Sequence, residues 1–312
     1  MKRYPTLDKI FSKLPYIGKR MQLLDACLQS LDACGFKPGH FHSPIPDLGD
    51  INKRKDAIFK KTKVDVKGIN LDKENQFLLL ESFKQYYEEI PYDFENGKTT
   101  NTRYQVSGAW YRYSDVIMLH GMMRHFKPSR IIEIGSGYSS AVMVDTNEIF
   151  LESKTAMTFI EPFPERLNLL LKSDDHKKYS VLVSFVQDIN IDIFRALEPN
   201  DILFIDSSHV SKTGSDVNFI LFEILPIIKP GVLIHFHDVY YPFEYPEHWV
   251  LEKKWFWNEA YILRAYLTDN DKYSIINFNS YLQDEFREWF KTQMPICLLG
   301  EKDTGSIWLR KN

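Results

Sequence analysis

Cysteine is scarce. Cys27, Cys34 and Cys297 are the three in a chain of 312 residues. They make no disulfide framework and no CxxC pair, which fits buried or free thiols in a reducing compartment, the cytoplasm; a Cys27–Cys34 bridge is the open exception. No window approaches the ~20 apolar residues of a membrane span. The basic start, MKRYPTLDKIFSKLPYIGKRMQ, lacks the continuous apolar stretch of a secretory signal. It reads as a solvated amphipathic helix, with peripheral membrane contact as the alternative. There is no basic excess either. A net charge of −3 leaves no footprint for nucleic acid. Internal repeats and low-complexity tracts are absent. What remains is 44% hydrophobic and 26% charged, a composition that builds a packed core. The length suits one large domain, or a domain with an accessory region.

Two textures divide the chain. Residues 1–105 mix short helical patterns with polar, proline-containing links. LLDACLQSLDACGF has helical spacing and a stop at Gly35. FHSPIPDLGDI has no regular period and reads as an extended loop. NQFLLLESFKQYYEEI returns to helical spacing. This mostly helical region is expected to cap a substrate site or to supply an oligomer contact, so a homo-oligomer is compatible with it. Residues 106–312 alternate short apolar runs with amphipathic helices. RIIEI, AMTFIE, SVLVSFV, DILFID and GVLIHFHDV are strand candidates, and YSIINF and SIWLRK complete seven. That alternation predicts an α/β, Rossmann-like, doubly wound and mainly parallel sheet. Ligands of such sheets sit at the carboxyl ends of the strands.

The residues leaving each strand are therefore the candidates. RIIEIGSGYSSAVMV holds Glu133 and the turn Gly135, Ser136, Gly137, followed by Ser139. Glycine lets backbone approach a ligand closely, and a helix start offers unpaired amides. The third glycine of a dinucleotide turn is missing, because Ser140 stands there. A carboxylate such as Glu133 repels a diphosphate and welcomes a cation. Glu161 lies 26 residues past Gly135, a spacing suited to an acid that accepts two hydrogen bonds from a ribose diol. It also fits a cap on the helix near Pro162. Gln187 and Asp188 follow the third strand, where an adenine amino group finds an acceptor. Asp206 ends the fourth.

As an ordered set these residues resemble the class I S-adenosylmethionine-dependent methyltransferases. EIGSGYSS resembles their first motif; FIEP, VQDI and LFIDSSH resemble the second, third and fourth. The resemblance spans residues 106–312. It implies that the 135–137 turn supports the methionine part of the cofactor, Glu161 the ribose, and Gln187 or Asp188 the adenine. It is also similar to the small-molecule and sugar O-methyltransferases. It implies a Mg²⁺ held by Asp206 and Asp238, although His237 stands where a paired acid is expected.

His209, three residues past Asp206, is placed to take the proton of an attacking hydroxyl. An unperturbed imidazole, near ~6.5, suits that task. His235, His237 and Asp238 leave the fifth strand, the two histidines on one face. The aromatic stretch VYYPFEYPEHW is a candidate wall for a ring substrate. Tyr104, Tyr111 and Tyr113, before the core region, are candidates to close over the cofactor or to pack in the core. No NPPY-like tetrapeptide follows the fourth strand, which disfavours methylation of planar amines. The expected activity is O-methylation of a hydroxyl on a small molecule or glycan. An NAD(P)-dependent oxidoreductase on the same fold is the alternative, disfavoured by Ser140 and Glu133. A non-catalytic binding protein is the other, disfavoured by acids at several strand ends.

Overall fold

The structure, a computed structural model, describes residues 15–32, 34–60, 64–97, 101–300 and 304–312. Most of the basic start lies outside these residues, as does the side chain of Cys27. Cys34 and Cys297 are free thiols, one exposed and one buried. No described helix is long and apolar enough to cross a membrane. The chain forms two compact units, Met1–Ile58 and Phe59–Asn312.

The first unit holds α1 (Pro15–Asp32) and most of α2 (Leu48–Phe59). The second helix begins inside the segment expected to be a loop. Asp47 causes this: its Oδ1 accepts from the amides of Gly49 (2.7 Å) and Asp50 (3.1 Å). A carboxylate in that position satisfies amides that a helix start leaves unpaired.

The second unit contains α3 (Lys73–Tyr87), α4 (Ser114–Phe126), α5 (Tyr138–Phe150) and a seven-stranded sheet. The strands are β1 (Arg130–Ile134), β2 (Ala156–Ile160), β3 (Ser180–Leu182), β4 (Ile202–Ile205), β5 (Leu233–His237), β6 (Tyr273–Phe278) and β7 (Ser306–Lys311). Their order is β3-β2-β1-β4-β5-β7-β6. The first five are mutually parallel, while β7 runs antiparallel to both β5 and β6, so the sheet is mixed. Strands β4 and β5 are buried along their whole length. Helices on both faces of a parallel sheet demand this, and it explains their unbroken apolar runs. β3 is shorter than its apolar run suggested. It is an edge strand with one partner, and Val183 and Phe185 beyond it are exposed. α3 packs on α4 and on β6.

Register brings the ends of the central strands to one level. Ile134 of β1 pairs with Ile160 of β2 and with Ile205 of β4, and Ile205 pairs with Phe236 of β5. Gly135, Glu161, Asp206 and His237 therefore leave the sheet side by side. Chain order reverses between β1 and β4, the place where an open α/β sheet splits into a crevice.

Gly135 is required by this junction. It adopts φ +79°, and a Cβ there would fall 1.8 Å from the carbonyl oxygen of Asp206. Gly137 has extended φ and would meet only the flexible Arg166 side chain, at 3.3 Å. Gly135→Ala should thus lower the unfolding free energy by at least about 2 kcal/mol, and Gly137→Ala by less than about 1 kcal/mol. Urea denaturation measures both; equal losses would contradict the asymmetry.

Candidate functional site

A cavity of about 640 Å³ opens at the carboxyl ends of the central strands. Its base is made by the turn after β1, by Asp206 and His209 after β4, and by His237 and Asp238 after β5. Trp110, Tyr111 and Tyr113, just before α4, form one wall. That segment is anchored twice. Tyr104 is fully buried and its hydroxyl donates to the Tyr111 carbonyl at 2.7 Å. The buried Arg103 guanidinium donates twice to Asp175, each at 2.6 Å, and once to Asp145 at 3.1 Å. Tyr104 thus holds the wall from behind, whereas Tyr111 and Tyr113 face the cavity.

The glycine turn is held from below and from the side. Glu133 is fully buried, inside β1 rather than at its end. Its carboxyl accepts from the Ser139 hydroxyl (2.5 Å) and from the Ser140 hydroxyl. The amide of Gly137 in turn donates to Ser140 Oγ at 2.9 Å. Burial, only partly offset by these serines, pushes the Glu133 carboxyl up to about 8. Glu133 is therefore protonated at neutral pH and lies outside the cavity wall. The expectation that it meets a cationic ligand as a carboxylate is corrected: it knots the turn to the start of α5. Ser136 and Ser139 do line the cavity. So does Glu161, whose Oε2 accepts from the Ser136 amide (3.0 Å) and whose Oε1 accepts from the Phe163 amide (2.9 Å). The acid braces the turn and lines the cavity; it does not cap the following helix, Glu165–Leu170, which has no side-chain cap.

Gln187 and Asp188 stand apart from that wall. Gln187 donates from Nε2 to the Gly214 carbonyl at 2.8 Å, and its Oε1 is buried with no partner among the described residues. Asp188 is exposed in the 3-10 turn Val186–Asp188 that follows β3.

Four charged side chains converge after β4 and β5. His209 Nδ1 lies 2.8 Å from Glu259 Oε2. Its Nε2 lies 3.3 Å from Asp206 Oδ1 and 3.6 Å from Asp238 Oδ2. Ser207 bridges the cluster: its hydroxyl donates to Glu259 Oε1 (2.8 Å) and accepts from the His209 amide (3.0 Å). The His209 carbonyl accepts from the amides of Asn258 and Glu259. His209 and Asp238 both have positive φ, 58° and 56°. Such backbone costs about 1–3 kcal/mol per residue and persists where surroundings impose it. Burial works against a charged His209, but hydrogen bonds to Asp206 and Glu259 and the field of Asp238 outweigh it. The ring is held well above its ordinary 6.5. An unperturbed imidazole was expected; the structure corrects this. Asp206 moves the other way. Burial raises it, yet His237 and His209 bring it below the usual carboxylate range. Burial raises Asp238, against the pull of His237 and His209.

Asp206, His209 and Asp238 each offer one ligand atom within 4.8 Å of the others. Two hard oxygens and one imidazole nitrogen suit a divalent cation. Glu259, fixing the far nitrogen of the ring, is the kind of outer partner that ligating histidines use.

His235 and His237 share a face as expected, with ring centroids 5.9 Å apart, but not a role. His237 reaches the cavity. His235 stacks on Phe204 at 3.9 Å within the core, and burial and the neighbouring His237 drive it well below 6.5.

Several participants escaped the sequence reading. Glu259 opens a helix 50 residues from its histidine, where an acid reads as an ordinary helix-start charge. Arg166 and Arg112 also line the cavity, Arg166 beside Trp110 and Gly137. Trp249, Trp255, Trp257 and Lys253 form a further wall. The aromatic stretch ending at Trp249 was a candidate; the residues beyond it were not.

Residues 132–239 match the model of a family described as a methyltransferase domain. An uncharacterized protein of Archaeoglobus fulgidus is 32% identical over 169 residues, which cover 53% of this chain and 75% of that protein. Among solved structures, the SAH-bound methyltransferase PaMTH1 of Podospora anserina aligns with 13% identity and a TM-score of 0.41, covering 87% of this chain and all of that one. The O-methyltransferase TomG of Streptomyces achromogenes, solved with SAM, aligns with 12% identity and a TM-score of 0.43, covering 84% and 96%.

The buried Glu133 sets a pH dependence. Folding holds a proton that the unfolded chain releases near 4.5, so this group's contribution is complete below 4.5 and is lost as pH rises toward 8. Each pH unit inside that window counts about 1.4 kcal/mol. Glu133→Gln carries no such proton. Its stability relative to the native chain should improve by more than about 2 kcal/mol between pH 5 and pH 8. Denaturation at both pH values reads this; a difference independent of pH would contradict a protonated Glu133.

Proposed function

We propose that the chain, whose residues 132–239 match a methyltransferase domain, is a class I S-adenosylmethionine-dependent methyltransferase that methylates a hydroxyl oxygen of a small molecule or glycan. The observation that supports this most is the placing of His209. Its ring is fixed at Nδ1 by Glu259 and turns Nε2 toward Asp206 and Asp238, beside the glycine turn. When bound, the cofactor supplies an electrophilic methyl group on a cationic sulfur. The residues present fit it. Gly135, Ser136 and Gly137 bring bare backbone and small side chains to the cavity, and Glu161 offers carboxylate oxygens to a ribose.

The acceptor hydroxyl enters next to Nε2, in line with the methyl group, so that positioning supplies much of the rate. In the neutral form of the ring, which the neighbouring carboxylates make scarcer near neutral pH, Nε2 takes the hydroxyl proton, so turnover should rise with pH. Asp206, Asp238 and Glu259 stabilise the imidazolium that results, as a carboxylate does for the histidine of a catalytic triad. The same carboxylates oppose an anionic acceptor group: two unit charges about 4 Å apart repel by roughly 4 kcal/mol at an effective dielectric of 20. This favours a neutral hydroxyl over a carboxylate as the methylated group. A divalent cation such as Mg²⁺, held by Asp206 and Asp238, would supply Lewis acidity at the acceptor oxygen. The free thiols Cys34 and Cys297 support a cytoplasmic setting.

Titration calorimetry with S-adenosylhomocysteine should show one site per chain. Glu161→Ala should weaken it by about tenfold or more, the worth of the hydrogen bonds lost. His209→Ala should leave that affinity within about threefold. With an acceptor in hand, the same variant should lose about 10²–10⁴ in turnover. No binding by the folded native chain, or equal loss of affinity in both variants, would overturn these roles.

A further inference from the structure

Arg166 lines the cavity from the short helix Glu165–Leu170 that follows β2. Its stem packs on the glycine turn: a Cβ on Gly137 would fall 3.3 Å from Arg166 Cδ. Its guanidinium carbon lies 5.4 Å from the centroid of Trp110 and 5.8 Å from that of Tyr138. Both rings also line the cavity. Cation–π contact of this kind steadies a guanidinium without using its five N–H donors. Among the described residues no carboxylate pairs with the group and no oxygen accepts from it; its contacts are the two rings. The residue is exposed, so a ligand that takes these donors displaces only bulk water.

An acid and this base meet the same turn. Glu161 accepts from the Ser136 amide at 3.0 Å, and Arg166 packs on Gly137. Those two residues are consecutive, with Cα atoms about 3.8 Å apart. One small ligand lying along the turn can therefore touch both side chains. The arginine's charge also reaches the cavity base. Burial raises the Asp206 carboxyl, and after His237 and His209 it is Arg166 that draws it down.

The cofactor read into this cavity is cationic at its sulfur and its amino group, and anionic at one place, its amino-acid carboxylate. Glu161, Asp206 and Asp238, which line the cavity, attract the first two groups and repel the third. A planar guanidinium pairs with a carboxylate through two parallel N–H···O bonds. We propose that Arg166 binds the carboxylate of the cofactor's amino-acid tail, with Trp110 and Tyr138 positioning the guanidinium. The assignment rests on the methyltransferase reading of the same cavity. It makes Arg166 the residue by which the protein distinguishes an S-adenosyl amino acid from a nucleoside thioether that lacks the acid. Gly137 belongs to the same device, because its missing side chain leaves room for the arginine stem.

Titration calorimetry on the full chain tests it with two probes. One is S-adenosylhomocysteine; the other is its decarboxylated analogue, S-adenosyl-3-thiopropylamine, which keeps the nucleoside, the sulfur and the amine. The native chain should bind the acid about tenfold or more tightly than the amine, the worth of hydrogen bonds to a charged group. Arg166→Gln should lower the affinity for S-adenosylhomocysteine by about tenfold or more and leave that for the amine within about twofold, so that the preference disappears. Retained binding of the amine verifies that the variant is folded. Arg166→Lys keeps the charge and loses the planar fork, and its preference should fall between the other two. Equal affinity of the native chain for both probes, loss of both probes in Arg166→Gln, or a preference that this variant keeps overturns the assignment. Failure of the native chain to bind either probe would instead remove the methyltransferase reading beneath it.

Discussion

The carbonyl oxygen of Asp206 occupies the space where any side chain on residue 135 would have to go. This contact fixes the ends of β1 and β4 against each other, at the point where strand order reverses. The amide of Asp206 donates to the Ile134 carbonyl at 2.8 Å, and that of Gly135 to the Ile160 carbonyl at 3.0 Å. Three strand ends are thereby stitched into one edge. The turn can leave the sheet in only one direction, Glu161 can reach its amide, and the Asp206 side chain is aimed into the crevice. The opening chemistry of the site follows from backbone geometry before any ligand is considered.

On that edge the protein concentrates charge it cannot easily hydrate. Three carboxylates surround one imidazole, and two of the residues sit in left-handed backbone. Such a cluster is poor value for stability, since burying ions costs several kcal/mol each and excellent geometry is needed to offset it. Glu259 fixes which nitrogen of His209 faces the cavity, and Trp257 covers one face of that ring. The buried Glu133 belongs to a different task, being neutral and fastened to two serines under the turn.

The fold was legible where burial dictated sequence. β1, β2, β4 and β5 are short apolar runs because helices cover both faces of a parallel sheet. β3 was overread because an edge strand with one partner stops when its neighbour does. The start of α2 was missed because Asp47, a cap, resembles any polar loop residue. The strand-end residues Gly135, Glu161, Asp206, His209 and Asp238, singled out by position in the α/β pattern, line one cavity. Glu133 was assigned the wrong direction, since which way a strand residue faces depends on what covers each side of the sheet. Glu259, Lys253 and the tryptophans between them were invisible because their meaning is a three-dimensional neighbour, His209, far away in the chain.

The most direct test of the central claim is a crystal structure of the chain grown with S-adenosylhomocysteine. The account predicts the ribose hydroxyls within hydrogen-bond distance of the Glu161 carboxylate, and the sulfur turned toward Asp206 and His209. A nucleoside bound elsewhere, or a ribose held without Glu161, would contradict it.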